Sequence, residues 1–172
     1  RDDLVTGVQT CALPILPVAS AQLKSCLLLA GLRADGPTRL VQPAESRDHT
    51  ERMFDAMGAT LSRDGLTLEL HPGELETVDV DVPGDISSAA FWMVAGVTHS
   101  DAELLIKNVG INPTRAGIIT ALQMMNADLT LQDERTIAGE PVADVLVRSS
   151  ELKATEISGD IVPLLIDEIP VL

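Results

Sequence analysis

The feature that most constrains this chain is that it repeats itself. Ala30-Gly31 returns as Ala95-Gly96, and Thr38 to Val41 returns as Glu103 to Ile106, both at a spacing of 65 (95 − 30, 103 − 38). Met57-Gly58-Ala59-Thr60-Leu61 returns as Met125-Asn126-Ala127-Asp128-Leu129, and Arg47 as Arg115, at a spacing of 68 (125 − 57, 115 − 47). The second copy therefore carries a loop three residues longer (68 − 65). Each copy reads helix, strand, helix, strand, strand, over Ile15 to Leu70 and Asp85 to Val147. Repetition of a supersecondary unit implies a modular fold whose units bury their apolar faces on neighbours. The fold class expected is α/β. Asp167-Glu168-Ile169-Pro170 is where a third copy would open.

Hydrophobic spacing fills in the elements. Ile15 to Ala19 can extend as a strand. Ser20 stands as an N-cap before the helical run Ala21 to Ala30, with Gly31 as its C-cap. Leu23, Cys26, Leu27 and Ala30 lie at i, i+3, i+4, i+7 and define the expected buried face, Cys26 being read as a small core residue. Gly36-Pro37 marks a turn. Thr50 to Met57 forms a second helix with Met53, Phe54 and Met57 inward, closed by Gly58. Thr60 to Ser62 and Leu66 to Leu70 read as a hairpin about Arg63-Asp64-Gly65. Glu74 to Pro83 alternates at Val78, Val80 and Val82 as an extended crossover, and Val82-Pro83-Gly84 is the boundary between lobes. Asp85-Ile86-Ser87-Ser88 opens the second copy's helix, which runs to Ala95 and closes at Gly96. Arg1 to Pro14 has no period and lacks the basic start and apolar stretch of a signal peptide; it is expected to be a foreign or disordered leader. With a non-Met start and an apolar end at Ile169-Pro170-Val171-Leu172, the chain is expected to be an internal fragment.

Composition narrows the function classes. Lys and Arg number 12 against 26 Asp and Glu, a net charge of −14. Phosphate backbones and anionic membranes are bound by clustered cations, so neither nucleic acid nor a membrane surface is an expected partner. No run of about 18 apolar residues predicts a membrane span. Two cysteines make no disulfide framework, which fits a reducing, cytoplasmic setting. Aromatics are 2% of the chain, namely Phe54, Phe91 and Trp92, so aliphatic side chains must fill the core.

Four places could carry chemistry. Ser20, Ala21 and Gln22 open a helix, whose free N–H groups and partial positive charge suit an anion; Ser20 as a plain N-cap explains the same residues. Arg47 could clamp a phosphate or carboxylate, or pair on the surface with Asp48 or Glu51. Asp48-His49 suggests a triad only weakly, because no nucleophile accompanies the pair. Asp167-Glu168 sits between Leu164-Leu165-Ile166 and Ile169-Pro170-Val171-Leu172. Apolar flanks could raise a carboxyl toward proton-transfer range, and an N-cap role is the alternative. His49, His71 and His99 are scattered, so no metal constellation is expected, and no Gly-rich phosphate loop occurs.

Five segments also stand in a telling order: Pro17-Val18-Ala19-Ser20-Ala21-Gln22-Leu23-Lys24-Ser25, Ser46-Arg47-Asp48-His49-Thr50-Glu51, Val82-Pro83-Gly84-Asp85-Ile86-Ser87-Ser88-Ala89-Ala90, Asn112-Pro113-Thr114-Arg115 and Ile166-Asp167-Glu168-Ile169-Pro170. From Ile15 to Leu172 the chain resembles the middle of the 5-enolpyruvylshikimate-3-phosphate synthases, most closely the bacterial class II type, in which Ala follows the motif serine. The resemblance implies two lobes, each of three βαβαββ-type units, an inside-out α/β barrel that is incomplete here. Residues 15–83 would end the first lobe and 84–172 begin the second. Ser20, Ala21, Gln22 and Arg47 would hold shikimate-3-phosphate, with Gln22 also facing phosphoenolpyruvate. Asp167 would be the acid/base that manages the proton of the attacking 5-hydroxyl. The hydroxyl adds to C2 of phosphoenolpyruvate and phosphate is then expelled, with no metal or organic cofactor. The family's Lys and Arg clamp for phosphoenolpyruvate comes from segments outside this chain, so the chain is expected to be inactive alone and its parent a monomer. The rivals are the sister enzyme acting on UDP-N-acetylglucosamine, and a repeat scaffold without catalysis. The Ser20-Ala21-Gln22 triplet and Ser46-Arg47-Asp48-His49 favour the shikimate enzyme.

Overall fold

The computed structural model describes residues 15–172; the expected leader lies outside them. Two compact units divide between Asp79 and Val80.

The first unit contains α1 (Ala21–Gly31), β1 (Thr38–Val41), α2 (His49–Ala56), β2 (Leu61–Asp64) and β3 (Thr67–Leu70). The strands form one antiparallel sheet in the order β1-β3-β2, with Leu70 opposite both Thr38 and Leu61. Leu68 and Leu70, two residues apart, point to one face and bury with Leu40, Leu28 of α1 and Phe54 of α2. The β2–β3 turn is Gly65-Leu66, and the strand runs on through Arg63-Asp64, further than the expected hairpin loop allowed. Gly65 supplies the positive φ of 54° that this tight turn needs.

The second unit repeats the plan with longer strands: α3 (Ile86–Thr98), β4 (Glu103–Gly110), α4 (Gly117–Met124), β5 (Asp128–Ile137) and β6 (Glu140–Arg148). Its antiparallel sheet has the corresponding order β4-β6-β5. Residues 117–124 follow residues 49–56 by 68 at both ends (117 − 49, 124 − 56). Parallel bridges Ile15↔Val41 and Gly84↔Val109 open the two units alike. With each bridge counted as a vestigial first strand, both units read β-α-β-α-β-β. Ala90, Met93 and Val97 of α3, Ile118 and Leu122 of α4, and Val145 and Val147 of β6 form the core. Residues 149–158 run without regular structure to a short 3-10 helix, Gly159–Leu164, and then a series of turns.

Four expectations need correction. Ile15 to Ala19 is not a strand: a single bridge at Ile15 and the Leu16 N–H to Val41 carbonyl bond of 2.9 Å are all that pairs it. In α1 the buried positions are Lys24, Leu28 and Gly31, one residue round from the expected face, and Cys26 is exposed. The apolar count was misleading because the inward stripe contains a charged residue whose partner lies on another element. Gly31 and Gly96 do not cap their helices but lie within them, where they permit close packing. A Cβ on Gly31 would stand 2.8 Å from Thr38 Oγ1, and one on Gly96 2.5 Å from Val147 Cγ2. Residues 71–83, which include the crossover expected over Glu74 to Pro83, run without regular structure to the start of α3, with Val80 and Val82 exposed. Finally, α2 buries Phe54 fully, while Met53 and Met57 stay half-buried.

Candidate functional site

In the first unit Ser20 adopts extended backbone (φ −129°, ψ 116°) and its Oγ accepts the Leu23 N–H at 3.3 Å, so α1 starts there. The same hydroxyl lies 3.3 Å from Gln22 Oε1, to which it donates. The first N–H groups of a helix have no intrahelical acceptor, so Ala21 and Gln22 present backbone donors at this end. One turn on, Lys24 has 1% exposure, with its Nζ 2.5 Å from Glu51 Oε1 and 3.3 Å from the Ser46 carbonyl. The Ser25 and Thr50 hydroxyls meet at 2.5 Å. These contacts lock the start of α1 onto the Ser46-to-Glu51 segment, which carries Arg47 half-buried within it. Asp48 accepts Arg52 Nε at 2.9 Å, and Ser46 Oγ donates to Gln42 Oε1 at 3.0 Å. Ser20, Ala21, Gln22 and Arg47 thus sit on two tied segments of one unit. His49 begins α2 and is exposed.

In the second unit the start of α3 is capped by Asp85, whose carboxylate accepts the Ser88 N–H at 2.9 Å and the Ser88 hydroxyl at 3.1 Å. Arg115, in the turn before α4, reaches three residues on two segments. It lies 3.3 Å from Asp85 Oδ1, 2.7 Å from Ser87 Oγ and 3.2 Å from Asp167 Oδ2. The Ser87 hydroxyl accepts from Arg115 and donates to Glu168 Oε1 in a short contact. Partial burial works against the Asp85 charge, but the Ser88 and Ser87 bonds and the Arg115 guanidinium outweigh it and hold the carboxyl below its ordinary value.

The acidic pair divides its exposure sharply. Asp167 has a side-chain exposure of 48%, whereas Glu168 is 2% exposed. The flanking Ile166 and Ile169 are themselves exposed, so they do not desolvate Asp167 as the sequence suggested. Leu165 and Glu168 are the residues that turn inward, and the Arg115 guanidinium is what meets Asp167. Turns follow Asp167 over residues 168–171, with the Leu172 N–H bonded to the Glu168 carbonyl at 3.2 Å.

An open cavity of about 310 Å³ in the second unit is lined by Ile111, Pro113, Ala116, Ile119, Leu131 and Leu164 among others, and by none of the expected site residues. Among the described residues no cluster of His, Cys, Asp and Glu is arranged to hold a metal ion, and no helix is long and apolar enough to cross a membrane.

A sequence profile of EPSP synthase (3-phosphoshikimate 1-carboxyvinyltransferase) matches residues 14–172. The chain belongs to the EPSP synthase family. The 3-phosphoshikimate 1-carboxyvinyltransferase of Gloeothece citriformis is 60% identical over 159 residues, covering 91% of this chain and 36% of that protein. The protein of the same name from Bacillus cereus is 52% identical over 159 residues, covering 92% and 37%. The solved EPSP synthase from Acinetobacter baumannii matches with a TM-score of 0.89 at 46% identity, over 94% of this chain and 37% of that one. The chain thus spans little more than a third of the length of these EPSP synthases.

Within this EPSP synthase fold the repeat exposes what motif reading passed over. Asp85 and Ser87 occupy the positions of Ser20 and Gln22 one repeat on (85 − 20 and 87 − 22 give 65), and Arg115 occupies that of Arg47. The spacing alone could have nominated all three. Lys24 gave no such signal, since its partner Glu51 is distant in sequence and a lysine is not expected on a buried stripe.

Proposed function

We propose that the whole protein transfers the enolpyruvyl group of phosphoenolpyruvate to the 5-hydroxyl of shikimate-3-phosphate and releases phosphate. The observation that carries this reading is the 60% identity, over nine-tenths of the chain, to a protein named for that activity. Ser20, Ala21 and Gln22 bind shikimate-3-phosphate, whose anionic group suits the donors and positive end of α1. Arg47 adds a guanidinium from the segment that Lys24 ties to the same turn. Asp167 takes the proton of the 5-hydroxyl as the oxygen bonds to C2 of phosphoenolpyruvate, the C2–C3 double bond opening as C3 takes up a proton; C3 then gives a proton back as the bond from C2 to phosphate breaks, which restores the double bond and releases phosphate. The half-exposure of the Asp167 carboxylate, against the burial of Glu168, supports choosing it from the acidic pair.

No metal or organic cofactor takes part in this scheme. Residues 15–83 end one lobe and 84–172 begin the next, in a monomeric cytoplasmic enzyme of the class II type. The cationic clamp for phosphoenolpyruvate comes from the two-thirds of the relatives' length that this chain does not span, so the chain alone does not turn over.

The test is a chimera in which residues 14–172 replace the matching third of the Gloeothece citriformis relative. Phosphate release that requires both shikimate-3-phosphate and phosphoenolpyruvate supports the reading. Release that requires UDP-N-acetylglucosamine instead assigns the sister activity, and a folded, inactive chimera supports the scaffold.

A further inference from the structure

The two units carry the same device with different occupants. In the first, a helix start and an arginine (Ser20, Gln22, Arg47) are proposed to hold an external anion. In the second, the repeat-equivalent residues are Asp85, Ser87 and Arg115, and the anion they meet is the chain's own: Asp167 with its neighbour Glu168. We infer that Arg115 is a positioning residue that sets the Asp167 carboxylate for proton transfer, with Ser87 and Glu168 as its anchor. This rests on the reading of Asp167 as the acid/base.

The geometry gives each group a distinct part. Glu168 is buried, its backbone N–H donates to the Leu165 carbonyl at 2.9 Å, and its carboxyl accepts from Ser87. The acidic turn is therefore pinned from below to the start of α3. Asp167 stands beside that pin and is half exposed, so its own burial does not fix its side chain. Arg115 reaches it at 3.2 Å on Oδ2 while the same guanidinium is held by Ser87 and Asp85. A planar guanidinium with several fixed donors orients a carboxylate where a flexible ammonium only attracts it. Proton transfer is sensitive to such placement: an error of about 1 Å can cost on the order of a hundredfold in rate.

The experiment uses the chimera and compares Arg115→Met, Arg115→Lys and Asp167→Asn, with thermal unfolding of each recorded alongside. Arg115→Met is expected to lower kcat about ten- to a hundredfold and leave KM for both substrates within about twofold, because Arg115 meets the acid and not the ligands. Arg115→Lys should recover part of the loss. Adding Arg115→Met to Asp167→Asn should cost little more than Asp167→Asn alone, since the two act as one unit. Wild-type kcat in Arg115→Met overturns the inference, as does a raised KM with kcat unchanged, or a rate loss that simply adds to that of Asp167→Asn. Where Arg115→Met does not fold, Arg115→Gln, a shorter side chain that keeps an N–H donor but no charge, is read by the same criteria. If Asp167→Asn retains activity, the acid/base reading itself falls. If Asp167→Asn is dead and Arg115→Met is fully active, only the positioning role falls.

Discussion

At the scale of single residues, buried charges decide most. Lys24 lies in the first unit's interior with Glu51, whose carboxylate oxygens are buried and have no well-directed hydrogen bond; the 2.5 Å approach of Nζ is what compensates them. Removing one member of such a pair strands the other charge, at a cost of about 3–5 kcal/mol. Lys24→Ala should therefore unfold far more easily than wild type in urea, and Lys24→Met with Glu51→Leu should recover most of the loss. An unchanged midpoint in Lys24→Ala would show the pair to be solvated. Asp167 and Glu168 should separate in the same way. In the chimera, Asp167→Ala is expected to lose about 10²–10⁴-fold in kcat, the range of general acid–base catalysis, while still binding shikimate-3-phosphate in calorimetry. Glu168→Ala leaves the Ser87 hydroxyl without its acceptor and should chiefly lower stability, by about 1–3 kcal/mol. If Asp167→Ala keeps more than about a tenth of kcat, it is not the acid/base and Glu168 becomes the candidate.

Elements were more legible in the sequence than the contacts between them. The spacings of 65 and 68 located α2 and α4, the paired hairpins and both helix starts, because caps, turn glycines and apolar periods are local signals. They misplaced the face of α1 and the roles of Gly31 and Gly96, because those depend on what packs across. Gly96→Ala illustrates the point. Its Cβ would stand 2.5 Å from Val147 Cγ2 on a central strand, so the better helix former should destabilise, by about 1–3 kcal/mol of overpacking. Stabilisation would mean that Val147 yields freely. The cap of α3 is testable through pH. The Asp85 carboxyl is held below its ordinary value by Ser88, Ser87 and Arg115, so its contribution is complete above the unfolded value of about 4 and is lost as pH falls through the lower folded value. Asp85→Ala should cost about 1 kcal/mol near neutral pH and progressively less below about pH 4. A cost independent of pH would show that charge plays no part. The candidate site was legible to the same degree. Ser20, Gln22 and Arg47 were named from motif and helix start, but the anchoring of Asp167 was not, since no local pattern tells that Arg115, 52 positions earlier (167 − 115), meets it.

At the scale of the whole chain, both units expose large apolar side chains. Two of the three aromatics, Phe91 and Trp92, lie side by side on α3 with 65% and 62% of their surface exposed, and Phe54 alone is buried. Ile166, Ile169, Met124 and Leu105 add to the exposed apolar area of the same unit. Large apolar groups left in water forgo about 25 cal/mol for each Å² that burial would remove, and contiguous patches of them drive association. The 172-residue chain on its own is therefore expected to bind a hydrophobic dye and to associate with rising concentration, despite a net charge of −14 that opposes self-contact. Salt separates the two effects, because screening at 1 M shortens the reach of charge repulsion to about 3 Å and leaves apolar attraction in place. Sedimentation should accordingly show larger species at high salt than at low salt. Trp92 is the only tryptophan, so its emission should shift to the blue as association proceeds. Phe91→Lys with Trp92→Lys should suppress both the dye signal and the association without altering the α3 core, whose inward residues are Ala90, Met93 and Val97. A chain that sediments as a monomer at every salt concentration and binds no dye would show that these residues form no continuous patch.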